Sequence, residues 1–301
     1  MVSSVCERII SSPGRPPLRV FDWGEKTHDA VAIVNAYGSR NGLISRLAER
    51  LAAEKYVISW ESRWVPRLDP ALNDVRVGVA DHAADLAHVM EYFGRSFATL
   101  IGFCTGAQIA LAFAASNPQR VEQLALVNGN FSFSAEVEHT EFETFFSLLL
   151  RKTAQGPEKA KSWLAFIAGS RNESTLEAWA RLEHLGAPND SALLRLANSF
   201  LDDTQGEDMH RYALMMKQFR EFDIEACATK VATPAFIFCS QNDKVSHPAN
   251  SIKIHSLLKN AHLINDKDSG HYGIYNSPNF IEAIASQLGL QTNLLKSPVS
   301  K

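Results

Sequence analysis

One segment of the chain, residues 97–108, predicts a sharp strand-to-helix turn with a cysteine at its apex. The apolar run from Phe97 to Gly102 is typical of a buried strand, and a helix is expected to begin just after Cys104. The stretch Gly102-Phe-Cys-Thr-Gly106 has the glycine–x–nucleophile–x–glycine spacing of a nucleophile elbow, with cysteine where serine is usual. Glycines suit these positions because the tight turn leaves little room for a Cβ on either side of the nucleophile. The N-terminus of the following helix would favour a thiolate and a developing oxyanion at Cys104.

Strands alternate with helices before and after this turn, which predicts an α/β fold with a mostly parallel central sheet flanked by helices. The strands read as continuous apolar runs, so we expect both faces of the sheet to be covered. The predicted strands are residues 18–23, 31–35, 56–60, 97–102, 123–127, 235–239 and a short one near 262–264. The predicted helices outside the middle of the chain are residues 43–55, a helix capped by Asp74 and ending near 93, the helix from the turn to 116, 248–258 and 278–288.

The middle of the chain shows only helical periodicity, from about residue 132 to residue 229. Five helices are predicted there, at residues 142–152, 157–167, 174–184, 191–201 and 208–222. We therefore expect a sheet-containing core formed by residues 1–131 and 230–301, interrupted by a helical lid at residues 132–229. The first of these helices carries a stripe of large apolar side chains at helical spacing, which we assign to the core of the lid rather than to a pocket wall: Phe142, Phe145, Phe146 and Leu149.

Two further residues follow the elbow in the order expected of a catalytic triad. Asp243 comes just after the predicted strand 235–239, and His271 follows a glycine beyond the next strand. Each position is the carboxyl end of a strand, where open α/β sheets build their sites. His271 would then take the proton of Cys104 and Asp243 would orient His271. Asp266 and Asp268 lie near the histidine in sequence and are alternatives to Asp243 as the acid.

The chain resembles the α/β-hydrolase superfamily over nearly its whole length. The resemblance rests on the elbow, on the order nucleophile–acid–histidine and on the alternation of strands and helices. The resemblance implies an oxyanion hole formed by the backbone N–H of Thr105 and a second N–H from the loop after the third strand of the fold. By position, that second donor is Tyr37. The family usually has His-Gly just before this donor, and this chain has Asn35-Ala36 instead.

A cysteine nucleophile points to chemistry through a thioester, because exchange between thioesters is nearly thermoneutral. In its cysteine elbow, its length and its large helical insertion, the chain resembles the stand-alone aminoacyltransferases of nonribosomal peptide pathways. That resemblance implies that Cys104 carries an aminoacyl group between the phosphopantetheine thiols of a donor and an acceptor carrier (thiolation) protein. No tightly bound cofactor and no metal are expected, the phosphopantetheine arm of the carriers being part of the substrate.

Other functions stay open at this point. A thioesterase or another cysteine hydrolase is one alternative, although the dienelactone hydrolases with a cysteine elbow are shorter and lack a comparable insertion. Polyhydroxyalkanoate synthases have a second glycine after the elbow, where this chain has Ala107. A non-catalytic ligand receptor on the same fold would also retain the three triad residues, so fold alone does not decide.

The composition limits the classes of binding partner and the compartment that we expect for this protein. The net charge of −3 and the pI of about 6.4 argue against nucleic acid. No apolar run is long enough for a membrane span and no signal-peptide core is evident, so a cytoplasmic protein is expected. Four scattered cysteines suggest neither a metal site nor a disulfide framework. Carrier proteins are usually acidic, and we expect cations near the lid to form a docking surface for them: Arg63, Arg67, Lys217 and Arg220.

Overall fold

A computed structural model of the chain describes residues 5–63, 78–134, 137–169, 179, 191–202 and 206–291. Its strands, numbered in chain order, are β1 (Cys6–Ser12), β2 (Arg15–Trp23), β3 (Ala30–Val34), β4 (Tyr56–Trp60), β5 (Ala98–Phe103), β6 (Val121–Val127), β7 (Ala235–Ser240) and β8 (Ala261–Asp266). They form one sheet in the spatial order β1-β2-β4-β3-β5-β6-β7-β8. Neighbouring strands from β4 to β8 run parallel, whereas β2 is antiparallel to both β1 and β4. The predicted mostly parallel α/β sheet is confirmed.

Helices cover both faces of this sheet. In chain order they are α1 (Ser45–Leu51), α2 (Val79–Tyr92), α3 (Thr105–Ser116), α4 (Glu141–Thr153), α5 (Pro157–Gly169), α6 (Ser191–Ala197), α7 (Glu207–Arg220), α8 (Ile224–Ala228), α9 (Pro248–Leu257), α10 (Gly273–Asn276) and α11 (Pro278–Gln287). Short 3-10 turns add Asn41–Ile44, Pro118–Arg120 and Ser199–Asp202.

Adjacent residues of the central strands enter two separate hydrophobic clusters, one on each face of the sheet. In β5, Leu100 belongs to one cluster and Ile101 to the other; in β7, Ile237 and Phe238 divide in the same way. Every residue of β5 is buried. Burial on both faces is the physical reason why these strands read as continuous apolar runs rather than as alternating ones.

The hairpin at the sheet edge was not predicted in full, because β1 was missed. Only Ile10 of β1 is buried and the neighbouring Ile9 is 57% exposed, so the strand lacks the apolar run that marked the others. The turn to β2 contains Gly14 at φ +74°, a left-handed conformation that glycine adopts without strain.

Helices α4 to α7 lie between β6 and β7 in the chain, where the helical insertion was predicted. Helix α4 begins with a capping box: Oγ1 of Thr140 accepts from the Glu143 N–H, and the Glu143 carboxylate accepts from the Thr140 N–H. The predicted helix at 174–184 and the proposed cap Asp74 lie outside the described residues, apart from Trp179, which is buried. The division into core and lid at residues 132 and 229 stays a prediction.

Among the described residues, no helix has both the length and the apolarity needed to cross a membrane. Within the same residues, no group of three or more histidine, cysteine, aspartate or glutamate side chains is placed to hold a metal ion.

Candidate active site

Cys104 occupies a strained turn between β5 and α3. Its φ of 52° and ψ of −123° lie where L-residues are rarely found, so the surrounding structure must hold the residue there. A Cβ added to Gly106 would lie 2.1 Å from the carbonyl oxygen of Val34, and one added to Gly102 would lie 2.5 Å from the Cα of Ala107. The two glycines of the motif are therefore required by close backbone approach, as predicted.

Backbone hydrogen bonds fix the elbow against the neighbouring strand. The Cys104 N–H donates to the Val127 carbonyl at 3.0 Å. The Cys104 carbonyl accepts from the N–H groups of Ala107 and Asn130, both at 3.1 Å. These contacts leave the half-buried Cys104 side chain at the end of β5, where it lines a cavity.

Asp243 and His271 form a buried pair beside the elbow. His271 Nδ1 and Asp243 Oδ2 lie 2.7 Å apart, and the two side chains are 3% and 2% exposed. The other carboxylate oxygen, Oδ1, accepts from the backbone N–H groups of Val245 and Ser246, both at 2.8 Å. The carboxylate is thereby oriented with Oδ2 toward the imidazole.

The two alternative acids occupy other positions. Asp266 Oδ2 accepts from the Ser269 N–H at 2.6 Å and so shapes the turn that leads to the histidine. Asp268 is exposed. The geometry therefore pairs His271 with Asp243.

His271 lines the same cavity as Cys104, and the sulfur lies close enough to affect the pKa of the ring. Because Nδ1 is bonded to Asp243, Nε2 is the ring nitrogen that is left to exchange a proton with the sulfur. Burial alone would lower the pKa of His271, but the negative charges of Asp243 and of a Cys104 thiolate, together with the hydrogen bond to Asp243, raise this pKa well above its usual value. This arrangement can hold an imidazolium–thiolate ion pair, the form in which a cysteine attacks a carbonyl carbon.

The two residues proposed for the oxyanion hole lie side by side. Thr105 is the first residue of α3, so its N–H has no acceptor within the helix. The Tyr37 N–H donates to Oγ1 of Thr105 at 2.8 Å. In the preceding Asn35-Ala36, Oδ1 of Asn35 accepts the Ala36 N–H at 2.9 Å. The threonine hydroxyl thus accepts the hydrogen bond of the Tyr37 N–H, the group that a substrate oxyanion would need as a donor.

Asn128 is a positioning residue that the sequence did not reveal. It has φ +45° at the end of β6. Its Oδ1 accepts from the Ser240 N–H at 2.9 Å, and its Nδ2 donates to the carbonyl of His271 at 3.0 Å. One side chain thereby ties the ends of β6 and β7 to the histidine turn. A polar residue directly after a buried strand was the only signal available.

A cavity of about 370 Å³ opens over Cys104 and His271. Helices α4 and α7 supply much of its wall, including Phe142, Phe146 and Met216. The assignment of the α4 stripe to the lid core alone is therefore wrong for Phe142 and Phe146, which also pack against Trp179. Phe142 and Phe146 therefore contribute both to the cavity wall and to aromatic packing among the helices that follow β6.

The basic residues that were expected to form a docking surface differ in their exposure to solvent. Arg63 is buried, because its Nε and Nη2 donate to the two carboxylate oxygens of Asp85 at 2.7 and 2.8 Å; its assignment to an exposed surface is wrong. Lys217 and Arg220 are exposed on α7, and Arg220 lies at the cavity and donates to Ser147 Oγ at 2.9 Å. Arg67 lies outside the described residues.

The remaining cysteines are unlike Cys104. All four cysteines are free thiols. Burial raises the pKa of Cys227 to about 11 and raises that of Cys239 as well, which keeps both protonated. Cys6 is exposed on the edge strand β1. Of these thiols, Cys104 alone lines the cavity.

Comparison with known proteins places the chain among hydrolase folds. The sequence pattern of the alpha/beta hydrolase fold matches residues 66–278. A protein of Caulobacter segnis that carries the name carbamate hydrolase RutD is 23% identical over 256 residues, which are 84% of this chain and 88% of that protein.

Solved structures resemble the chain in fold. The 2-hydroxy-6-oxo-6-phenylhexa-2,4-dienoate hydrolase of Rhodococcus sp. strain RHA1 superposes with a TM-score of 0.71 at 16% identity, covering 95% of this chain and 98% of that one. The esterase EaEST of Exiguobacterium antarcticum gives 0.71 at 17% identity, covering 93% and 98%. The thioesterase domain of the curacin biosynthetic pathway gives 0.63 at 15% identity, covering 95% and 99%. At these identities the likeness is one of fold.

Proposed function

Because this chain belongs to the α/β-hydrolase fold family, we propose that it is an acyltransferase in which Cys104 carries the acyl group as a thioester. The observation that carries the proposal is the identity of the residue at the elbow: a cysteine, at φ 52°, in the same cavity as a histidine that is itself paired with Asp243. The family usually has serine at this point. A serine suffices for hydrolysis, whereas a thioester intermediate suits transfer to another thiol.

The first half-reaction loads the enzyme. The Cys104 thiolate attacks the carbonyl carbon of a donor thioester, and the tetrahedral oxyanion is held by the N–H of Thr105 and by the N–H of Tyr37 once it is released from Oγ1 of Thr105. Collapse breaks the bond to the donor sulfur, which leaves with the proton of the His271 imidazolium. The products are acyl-Cys104, neutral His271 and a free donor thiol.

The second half-reaction unloads it. The acceptor thiol gives its proton to His271 and attacks the acyl-Cys104 carbonyl carbon through an oxyanion at the same place. Cys104 leaves as a thiolate beside the new imidazolium, which restores the starting ion pair. Asp243 orients the ring throughout and stabilises its cationic form.

Aminoacyl groups on phosphopantetheine arms are the proposed substrates. The elbow Gly102-Phe-Cys-Thr-Gly106 and the helical insertion resemble those of the aminoacyltransferase of coronamic acid biosynthesis. A slim phosphopantetheine arm can enter a cavity under a lid while bulk water is excluded, which would protect the thioester from hydrolysis. The proposed partners are one donor and one acceptor carrier protein, and the enzyme itself needs no bound cofactor.

The test is intact-protein mass spectrometry after mixing the enzyme with a carrier protein loaded with a radiolabelled aminoacyl group. We expect a stable acyl adduct on the wild type, its loss in Cys104→Ala, and its retention in Cys6→Ala, which removes an exposed thiol away from the cavity. Adding an unloaded acceptor carrier should move the label onto that carrier. Rapid release of free acid without acceptor would make the protein a hydrolase, as the names of its relatives suggest. Binding without any adduct would make it a receptor.

A further inference from the structure

Glu143 places a carboxylate in the wall of the cavity that contains Cys104 and His271. The residue belongs to the first turn of α4, and its side chain is 10% exposed. Its oxygens accept from the backbone N–H groups of Thr140 and His247 and from the amides of two asparagines that also line the cavity. Among the described residues, the only potential cation within ion-pair distance is the His139 ring, whose Nδ1 is 3.7 Å away. Apart from this ring and the guanidinium of Arg220, which lies farther away but is affected by the charge of Glu143, the carboxylate is surrounded by neutral dipoles.

The two asparagines add further acceptors. Asn130 Nδ2 donates to Glu143 Oε1 at 3.1 Å and Asn250 Nδ2 donates to the same oxygen at 3.2 Å. A carboxylate can only accept, so each amide must turn its NH2 group toward Glu143 and its carbonyl oxygen elsewhere. No described residue donates to Oδ1 of Asn130 or of Asn250. Glu143, Asn130 and Asn250 all line the cavity, and we call them the acceptor cluster: one carboxylate and two amides, whose oxygens are hydrogen-bond acceptors.

This acceptor cluster is joined directly to the nucleophile. The Asn130 N–H donates to the Cys104 carbonyl at 3.1 Å, so the amide that contacts Glu143 belongs to the residue that holds the elbow. In an aminoacyl thioester the ammonium is attached to the carbon next to the reacting carbonyl. Residues that recognise this ammonium must lie beside Cys104 and must offer hydrogen-bond acceptors.

Burial and the charge of Asp243 raise the pKa of Glu143, whereas hydrogen bonds from the Thr140 and His247 N–H groups and the nearby His139 oppose this shift. A carboxylate destabilised by burial gains from a cation brought by a ligand. Arg220 also lines the cavity, but its guanidinium donates to Ser147, and no described carboxylate lies within ion-pair distance of it.

We infer that the acceptor cluster of Glu143, Asn130 and Asn250 binds the α-ammonium of the acyl group and makes the enzyme selective for aminoacyl over plain acyl thioesters. The inference rests on the proposed function and adds the residues that set its substrate class. Glu143 supplies the charge, and the two amide oxygens accept further N–H bonds from the ammonium. Hydrogen bonds to a charged group, once lost in a water-poor site, change rates by about tenfold to a hundredfold.

The test compares valyl-pantetheine with isovaleryl-pantetheine, which differs by the absence of the amino group. Both thioesters carry the pantetheine arm, and the measured quantity is kcat/KM for acylation of Cys104, followed by intact mass. We expect the wild type to favour the valyl thioester by about tenfold or more. In Glu143→Gln this preference should fall to near unity, because the valyl rate should drop toward the isovaleryl rate.

Two control variants separate recognition from a structural role of Glu143. Glu141→Gln removes the same charge from an exposed position in the same helical turn and should keep the preference. Thr140→Ala removes the other half of the capping box and leaves the Glu143 carboxylate in place, so any loosening of α4 should change both substrates alike. Should Glu143→Gln not fold, N-formylvalyl-pantetheine tested on the wild type removes the substrate charge instead, and its rate should fall to the isovaleryl level.

An equal loss for both thioesters in Glu143→Gln, or a wild type with no preference, would overturn the inference while leaving acyl transfer in place. Absence of a Cys104 adduct with either thioester would instead contradict the proposed function itself.

Discussion

The backbone N–H of Tyr37 donates a 2.8 Å hydrogen bond to Oγ1 of Thr105, a residue 68 positions further along the chain. Both residues line the cavity over Cys104. The bond holds the loop after β3 against the first turn of α3. In the oxyanion hole that we propose, an incoming oxyanion must exchange with the hydroxyl as the acceptor of the Tyr37 N–H.

Thr105→Val tests this relationship, because valine keeps the shape and the backbone N–H but cannot accept a hydrogen bond. Leaving the Tyr37 N–H without an acceptor should lower the free energy of unfolding by about 1–3 kcal/mol, measured by urea unfolding. Acylation of Cys104 should fall by less than about tenfold, since both backbone donors remain. A fall as deep as that of Cys104→Ala would mean that the hydroxyl itself takes part in the chemistry.

Cys104→Ala should abolish acylation, because no other thiol of the chain lies at the cavity. Cys104→Ser is expected to accept the acyl group slowly and then to stall, since a serine ester is a poorer acceptor of thiol attack than a thioester. Time courses of labelled enzyme with and without acceptor thiol measure both effects. Fast onward transfer from the serine variant would mean that thioester chemistry does not explain the cysteine at the elbow.

His271→Ala should slow acylation by about a hundredfold or more, the usual scale for loss of a general base. Asp243→Asn should cost less, because a thiol depends less on the orienting acid than a hydroxyl does. Asp266→Asn is the matched control: its carboxylate bonds the Ser269 N–H, not the imidazole. If Asp243→Asn kept full activity while Asp266→Asn lost most of it, Asp266 rather than Asp243 would be the acid that orients His271.

The raised pKa of His271 predicts how the free energy of unfolding depends on pH. Burial opposes the shift, but the charges of Asp243 and the Cys104 thiolate outweigh it, so the folded-state pKa lies well above the unfolded value of about 6.5. A protonated His271 therefore stabilises the folded protein below about pH 6.5, and this contribution is lost as the pH rises through the folded-state pKa. The unfolding free energy of wild type minus that of His271→Asn should shrink across this window. A difference that stays constant or grows with pH would contradict the ion pair.

Transfer from an acidic carrier should weaken as the salt concentration rises, because exposed charges are screened. Lys217→Gln should raise the KM for the loaded carrier by a few-fold and leave the KM for a pantetheine thioester unchanged. The small thioester serves as the control because it has no protein surface to dock. Carrier transfer that is independent of salt would leave the shuttle in place and remove this docking surface.

Local sequence was sufficient wherever a structure is specified by neighbouring residues. The glycine spacing around Cys104 predicted the elbow, and continuous apolar runs predicted the buried strands, because close backbone approach and burial on both faces each restrict residue type. The same local rule failed at β1, an edge strand with one buried residue. An edge strand is held by its ladder of hydrogen bonds to β2, and almost any side chain permits that ladder.

Only the tertiary structure decided which of the distant polar residues meet. Three aspartates were candidates near the histidine, and the fold brings Asp243 to His271 across 28 residues. It buries Arg63 on Asp85, which the sequence alone placed at the surface. It also brings Glu143 of α4 to Asn130 and to Asn250 of α9. The physical reason is that hydrogen bonds and ion pairs depend on distance and orientation in space, whereas apolar periodicity records only how far each residue is buried.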